Sequence, residues 1–110
     1  MPTYIISFGY RHGKPPQGFK AIDVRKWLKR NPFHKKHLRN LRGTDPEVQE
    51  DIRQTPDFDK SYQTILNMVK NETGVVFIGC TGGHHRSVYI AELLSKDLGV
   101  PVRHSDIHNR

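Results

Sequence analysis

Cys80 and Arg86 are separated by five residues, and Ser87 follows directly, in the run Gly79-Cys80-Thr81-Gly82-Gly83-His84-His85-Arg86-Ser87-Val88. That spacing is the one used by cysteine phosphatases, where backbone amides and a guanidinium hold a phosphate while a thiolate attacks phosphorus. Cys80 and Arg86 would be its catalytic pair. The reaction also needs an acid for the leaving group, and the sequence selects none among Asp23, Asp45, Asp57 and Asp106. Without the nucleophile the same run still describes an anion site. Paired glycines let the backbone approach a ligand closely, and Arg86 offers a planar fork that matches phosphate. Cys80, His84 and His85 lack a companion pair at zinc spacing, and the Lys-Ser/Thr pair of a Walker A loop is missing. Neither a metal nor a cofactor is expected.

These side chains need a scaffold. Val75 to Ile78 is a short β-branched run bounded by glycines, as expected of a central parallel strand. Val88, Ala91, Leu94 and Leu98 mark a helix that opens in the turn and stops at Gly99. A strand passing into a helix this way leaves unpaired amides at the helix start, where anions bind. Tyr4 to Phe8 predicts a second buried strand, with Ser7, Arg11 and His12 near its carboxyl end. His12 reads equally as a ligand and as an exposed loop residue. Phe19 to Arg25 predicts a third strand, with Asp23 and Arg25 on one face. There Arg25 would reach the anion, and Asp23 would orient it or bind a hydroxyl. Thr44 and Glu47 form a capping box for a short helix to about Gln54. Thr55-Pro56 opens a longer helix carrying Phe58, Tyr62, Ile65, Leu66 and Val69 on one face. Val100 to Val102 predicts a short edge strand. The expected fold is α/β, one small domain over residues 1–110, with a mainly parallel sheet of about four strands and helices packed on it.

Charge supplies the second functional signal. The chain carries 18 Lys and Arg against 11 acidic residues, a net charge of +7, which favours polyanionic partners. Between residues 25 and 42 stand Arg25, Lys26, Lys29, Arg30, Lys35, Lys36, Arg39 and Arg42 with no acidic side chain, interrupted by Trp27, Phe33, Leu38 and Leu41. A one-signed run that interleaves aromatic residues fits a phosphate-backbone surface, so these eight residues are the candidate RNA contacts. Asn31-Pro32 breaks any helix there. No segment approaches the ~18 apolar residues of a membrane span, and no signal-peptide pattern opens the chain. Membrane association is not expected, and a cytoplasmic location is. The single cysteine excludes an internal disulfide.

The turn from Gly79 to Val88 closely resembles that of the C-terminal domain of the RapZ family of RNase adapter proteins. Ser7-Phe8-Gly9-Tyr10, Asp23-Val24-Arg25, Asn31-Pro32, Leu41-Arg42 with Gly43-Thr44-Asp45, and Val102-Arg103-His104-Ser105-Asp106 match the family in the same order. The resemblance implies an RNA-binding module that senses an amino-sugar phosphate. By that resemblance Thr81, Gly82, Gly83, His85, Arg86 and Ser87 would form the sugar-phosphate pocket, with Ser7, Asp23 and Arg25 nearby. The residues themselves add His12 on the same rim and, with no acid selected, Cys80 as a small buried residue or pocket wall. Full-length members carry an N-terminal P-loop domain. These 110 residues contain no such motif, so no ATP-linked activity is implied. The expected function is therefore binding rather than catalysis, with RNA and a phosphorylated small molecule as partners. The alternatives are the cysteine phosphatase and a basic module that docks on an acidic protein. Homo-oligomerisation is left open.

Overall fold

The computed structural model describes residues 1–109. Strands β1 (Pro2–Gly9), β2 (Lys20–Asp23), β3 (Gly74–Cys80) and β4 (Val102–His104) form one sheet in the order β2-β3-β1-β4. All three pairings are parallel. Helices α1 (Pro46–Arg53), α2 (Phe58–Lys70) and α3 (Arg86–Leu98) complete the α/β domain.

The pleat decides what each strand buries. Ile5 lies opposite Val76, and both Ser7 and Ile22 lie opposite Ile78. The aliphatic members of this face join Val48, Ile52, Ile65, Val69, Ile90 and Leu94 in one core. Ile78 is 0% exposed, so truncating it to Ala would cost about 2–5 kcal/mol. The opposite pleat is aromatic: the Phe77 ring meets Phe8 and Phe19 edge-on at 6.0 and 5.8 Å.

Element boundaries depart from the sequence pattern for local reasons. The strand expected over Phe19–Arg25 stops at Asp23. The Asp23 carboxylate accepts the Arg25 backbone N–H at 3.0 Å and curls Val24–Lys26 into a single 3-10 turn. The edge strand starts at Val102 rather than Val100, because Val100 is spent closing α3. Its N–H donates to the Ser95 carbonyl at 3.2 Å, and its own carbonyl accepts the Ser95 hydroxyl at 2.5 Å. Asp45, not Thr44, holds the cap position of α1, and its carboxylate accepts the Arg42 N–H at 2.6 Å. The longer helix begins at Phe58 rather than Thr55, after Asp57 takes a left-handed φ of 59°.

The central strands β1 and β3 end side by side, with Gly9 opposite Cys80. Their outgoing connections run in opposite directions, to β2 and to β4. That is the position where open parallel sheets hold ligands.

Candidate anion-binding site

Cys80 ends β3 and Arg86 begins α3, so Thr81 to His85 is the entire connection. Gly83 has φ +75°, and a Cβ there would stand 2.6 Å from the Gly9 nitrogen, so only glycine lets the turn lie flat against the end of β1. The Arg11 N–H donates to the Thr81 carbonyl at 3.0 Å from one side. From the other, the Gly43 N–H donates to the His84 carbonyl at 2.8 Å, and a Cβ on Gly43 would lie 2.3 Å from the His85 carbonyl oxygen. The turn is thus gripped between β1 and the end of the basic segment.

Beside it opens a cavity of about 340 Å³. The turn contributes Cys80, Thr81, Gly82, His84, His85 and Arg86. Asn31, Phe33 and His34 form the opposite wall, and Arg11 comes from the loop after β1. No carboxylate lines the cavity among the described residues.

Arg86 is the decisive side chain of this wall. It is only 6% exposed, yet among the described residues no carboxylate lies within ion-pair distance. Its Nη1 donates to the Leu28 carbonyl at 2.9 Å, while its Nε is buried without a partner. Burial pulls its pKa below the ordinary arginine value, as expected of a cation that has lost water without gaining an anion.

The two histidines are neutral donors. His85 Nε2–H donates to the Leu41 carbonyl at 2.8 Å, which fixes the proton on that nitrogen, and burial pushes the ring's pKa down to about 4. His84 Nε2–H donates to the Asn109 carbonyl, and burial lowers its pKa as well. Cys80 and Ser87 form a buried pair, with the thiol donating to the hydroxyl at 3.1 Å.

Of the sequence-named ligand residues, Cys80, Thr81, Gly82, His85 and Arg86 line the cavity together. Gly83 and Ser87 shape the turn behind it. Arg25 reaches it indirectly. Its Nη1 donates to Thr81 Oγ1 at 3.3 Å, its Nε and Nη2 hold both Asp23 oxygens at 2.8 Å, and its guanidinium sits 4.7 Å from the Tyr10 ring centre. Hydrogen bonds from Arg25 hold the Asp23 carboxyl below its usual range. The His12 ring lies 6.4 Å from that of His84. Ser7 is not brought to the cavity wall. Its hydroxyl is buried against His104 Nδ1 at 2.6 Å.

Sequence reasoning missed the far wall. No periodicity marks Asn31, Phe33 and His34. The available signal was Asn31-Pro32, where the Asn31 side chain accepts the Phe33 N–H at 3.1 Å and Pro32 is buried, closing one 3-10 turn.

The basic segment is divided in its commitments. Arg30 Nη2 binds Asp51 of α1 at 2.9 Å, and Lys35 pairs with the same carboxylate. Burial alone would raise the Asp51 carboxyl, but the two cations bring it below its ordinary value. Arg42 donates to the carbonyls of Ile107, Asn40 and Leu41. Arg39 donates to the Phe33 carbonyl at 2.9 Å. Lys26, Lys29 and Lys36 are exposed.

A family model described as the RapZ C-terminal domain matches residues 1–109. The chain belongs to that family. It is 39% identical over 104 residues to a nucleotide-binding protein of Synechococcus sp. (strain JA-2-3B'a(2-13)), a match covering 86% of this chain and 31% of the relative. It is 35% identical over 120 residues to a nucleotide-binding protein of Pediococcus pentosaceus, covering 96% of this chain and 40% of the relative. Against a nucleotide-binding protein of Azotobacter vinelandii it is 38% identical over 118 residues, with 94% and 41% covered. The chain therefore spans less than half the length of these relatives. The resemblance seen in the glycine turn and five further runs extends over the whole domain. No helix among the described residues is long and apolar enough to cross a membrane.

Proposed function

We propose that this RapZ C-terminal domain binds a phosphorylated small molecule, an amino-sugar phosphate, in the cavity at the Cys80–Ser87 turn, and RNA through the basic 25–42 surface. One observation carries the first half: Arg86 is a buried cation whose Nε has no partner among the described residues, in the wall of a cavity that no carboxylate among those residues lines. A phosphate is the partner such a group lacks, and the α3 amino terminus adds unpaired amides of the same polarity. The volume falls at the small end of ligand pockets, ~300–1,000 Å³, consistent with a monosaccharide phosphate. Thr81, the neutral His84 and His85 rings and His34 offer polar groups for a sugar. The RNA half rests on net charge and on the exposed Lys26, Lys29 and Lys36. A cytoplasmic location follows from the same reading.

Calorimetric titration with glucosamine 6-phosphate, glucosamine and inorganic phosphate tests the pocket. Binding of the phosphorylated sugar and of phosphate, but not of glucosamine, is expected; heat from none of them removes the reading. Gel shifts at rising salt test the RNA half, for which steep weakening is expected.

Cys80 and Arg86 share the cavity wall, which is the one observation favouring a phosphatase. Against it, no acid lines the cavity among the described residues. The four candidate acids are elsewhere: Asp23 on Arg25, Asp45 on the Arg42 N–H, Asp106 on the Gly9 N–H at 2.8 Å, and Asp57 exposed before α2. Turnover of an aryl phosphate, abolished in Cys80→Ser, would reinstate it.

A further inference from the structure

The phosphate of the proposed ligand accounts for Arg86, and Phe33 stands in the same cavity wall with much of its ring in solvent. Phe33 is 44% exposed and is the one hydrocarbon ring among the described residues that line the cavity. An apolar ring in water gains nothing from that placement unless something covers it. The backbone beneath it is nevertheless fixed on every side. The Asn31 side chain accepts the Phe33 N–H, Arg39 Nε donates to the Phe33 carbonyl, and Pro32 is buried. One residue further out on each flank, Arg30 and Lys35 converge on Asp51. The Arg39 guanidinium lies over the ring, 5.0 Å from its centre, so a planar cation is stacked on one face of a planar ring and both groups keep solvent exposure. Arg11 faces the same cavity.

We propose that Phe33 is a base-stacking platform: an unpaired nucleotide of the bound RNA lays its base on the exposed ring, while Arg39 and Arg11 face the flanking phosphates. The pairing of π surface with cations is the chemistry by which proteins hold single-stranded nucleic acid, since every base offers a face to stack and every linkage a charge to neutralise. Bases inside a duplex are covered on both faces, so the platform selects unpaired nucleotides and is tolerant of sequence. Because the ring is anchored beforehand, little ordering cost falls on binding. The inference rests on the RNA-binding reading above and adds to it the single-stranded substrate class and the residue that selects it.

The test measures fluorescence anisotropy of the full chain with a labelled single-stranded oligoribonucleotide, a blunt RNA duplex and heparin, a polyanion without bases. Phe33→Ala and Phe33→Trp are compared with the unmodified protein, with thermal melts to verify folding. Phe33→Ala is expected to weaken single-strand binding by roughly 5- to 100-fold, leaving duplex and heparin affinity and the salt slope unchanged. Phe33→Trp, with a larger ring, is expected to keep or tighten it. Unaltered single-strand binding by Phe33→Ala overturns the platform while leaving RNA binding standing, and so does an equal loss on heparin. An unmodified protein that binds heparin but neither RNA overturns the RNA reading and the platform with it.

Discussion

The glycine turn and the basic segment are both cationic, and they treat their charge in opposite ways. In the turn a single arginine is buried with no carboxylate at ion-pair distance among the described residues, and it donates to the Leu28 carbonyl. In the segment, charges that look equivalent in the sequence are mostly committed: Arg25 to Asp23, Arg30 and Lys35 to Asp51, Arg39 and Arg42 to backbone carbonyls. The first arrangement stores an unmet electrostatic demand inside low-dielectric surroundings, where one anion is worth most. The second uses most of its charge to shape a loop and turns only part of it outward. A count of lysines and arginines cannot separate these two uses, and their energetic scales differ accordingly.

Arg86→Met gives the largest effect. Phosphate and glucosamine 6-phosphate affinity should fall about 100- to 1,000-fold by calorimetry, because a desolvated charge contact is removed. Stability should move by less than about 1 kcal/mol in denaturant unfolding, since relief of the buried charge offsets the orphaned Leu28 carbonyl. A large loss of stability with affinity intact would mean that Arg86 is a structural cation, like those of the segment.

Next is the pH response of the turn. His85 has its folded pKa pushed from 6.5 to about 4, so the folded state resists protonation. The stabilisation is complete above the unfolded value near 6.5 and is lost as pH falls from there towards 4, by about 3 kcal/mol. His85→Gln, which can still donate to the Leu41 carbonyl, should flatten that window in urea unfolding curves. Equal slopes for both proteins would contradict the buried neutral ring.

Asp51→Asn attacks the segment's framework rather than its outer charges. Its carboxyl is held low by Lys35 and Arg30 against the opposing effect of burial, so the pair stabilises above the unfolded carboxyl pKa and is lost in acid. Both cations are more than one third exposed, which limits the expected cost at pH 7 to about 1–2 kcal/mol. Because Asn31, Phe33 and His34 lie between Arg30 and Lys35, sugar-phosphate affinity should fall as well. Unchanged affinity would show that the two regions do not communicate.

Smallest are Lys29→Ala and Lys36→Ala on the exposed face. Each should lower the slope of RNA affinity against salt by about one and leave the melting temperature and phosphate binding unaffected. An unaltered slope in both would shift the RNA surface elsewhere.

Much of this was legible before folding. The β-branched run at Val75–Ile78, the helical stripe from Val88 to Leu98 and the glycines between them state a strand, a turn and a helix, because period and backbone freedom are local properties. The parallel α/β sheet and the edge position of the last strand followed from the same reading, and the family from the resemblance of the glycine turn and five further runs. What was misjudged was set by single hydrogen bonds: the Asp23 carboxylate ending β2, the Ser95 hydroxyl delaying β4, and the His104 ring taking the Ser7 hydroxyl.

The sequence by itself determined the elements, the cationic character and the residues of the near wall, since each depends on neighbours in the chain. Only the tertiary structure decided which cations are spent. Asp51 meets Arg30 across 21 residues, Leu28 meets Arg86 across 58 and Leu41 meets His85 across 44. Pairings at such separations follow from how α1 and the segment pack beside the turn, which no local pattern encodes. The same packing turned Asn31, Phe33 and His34 from a loop in the sequence into the second wall of the site.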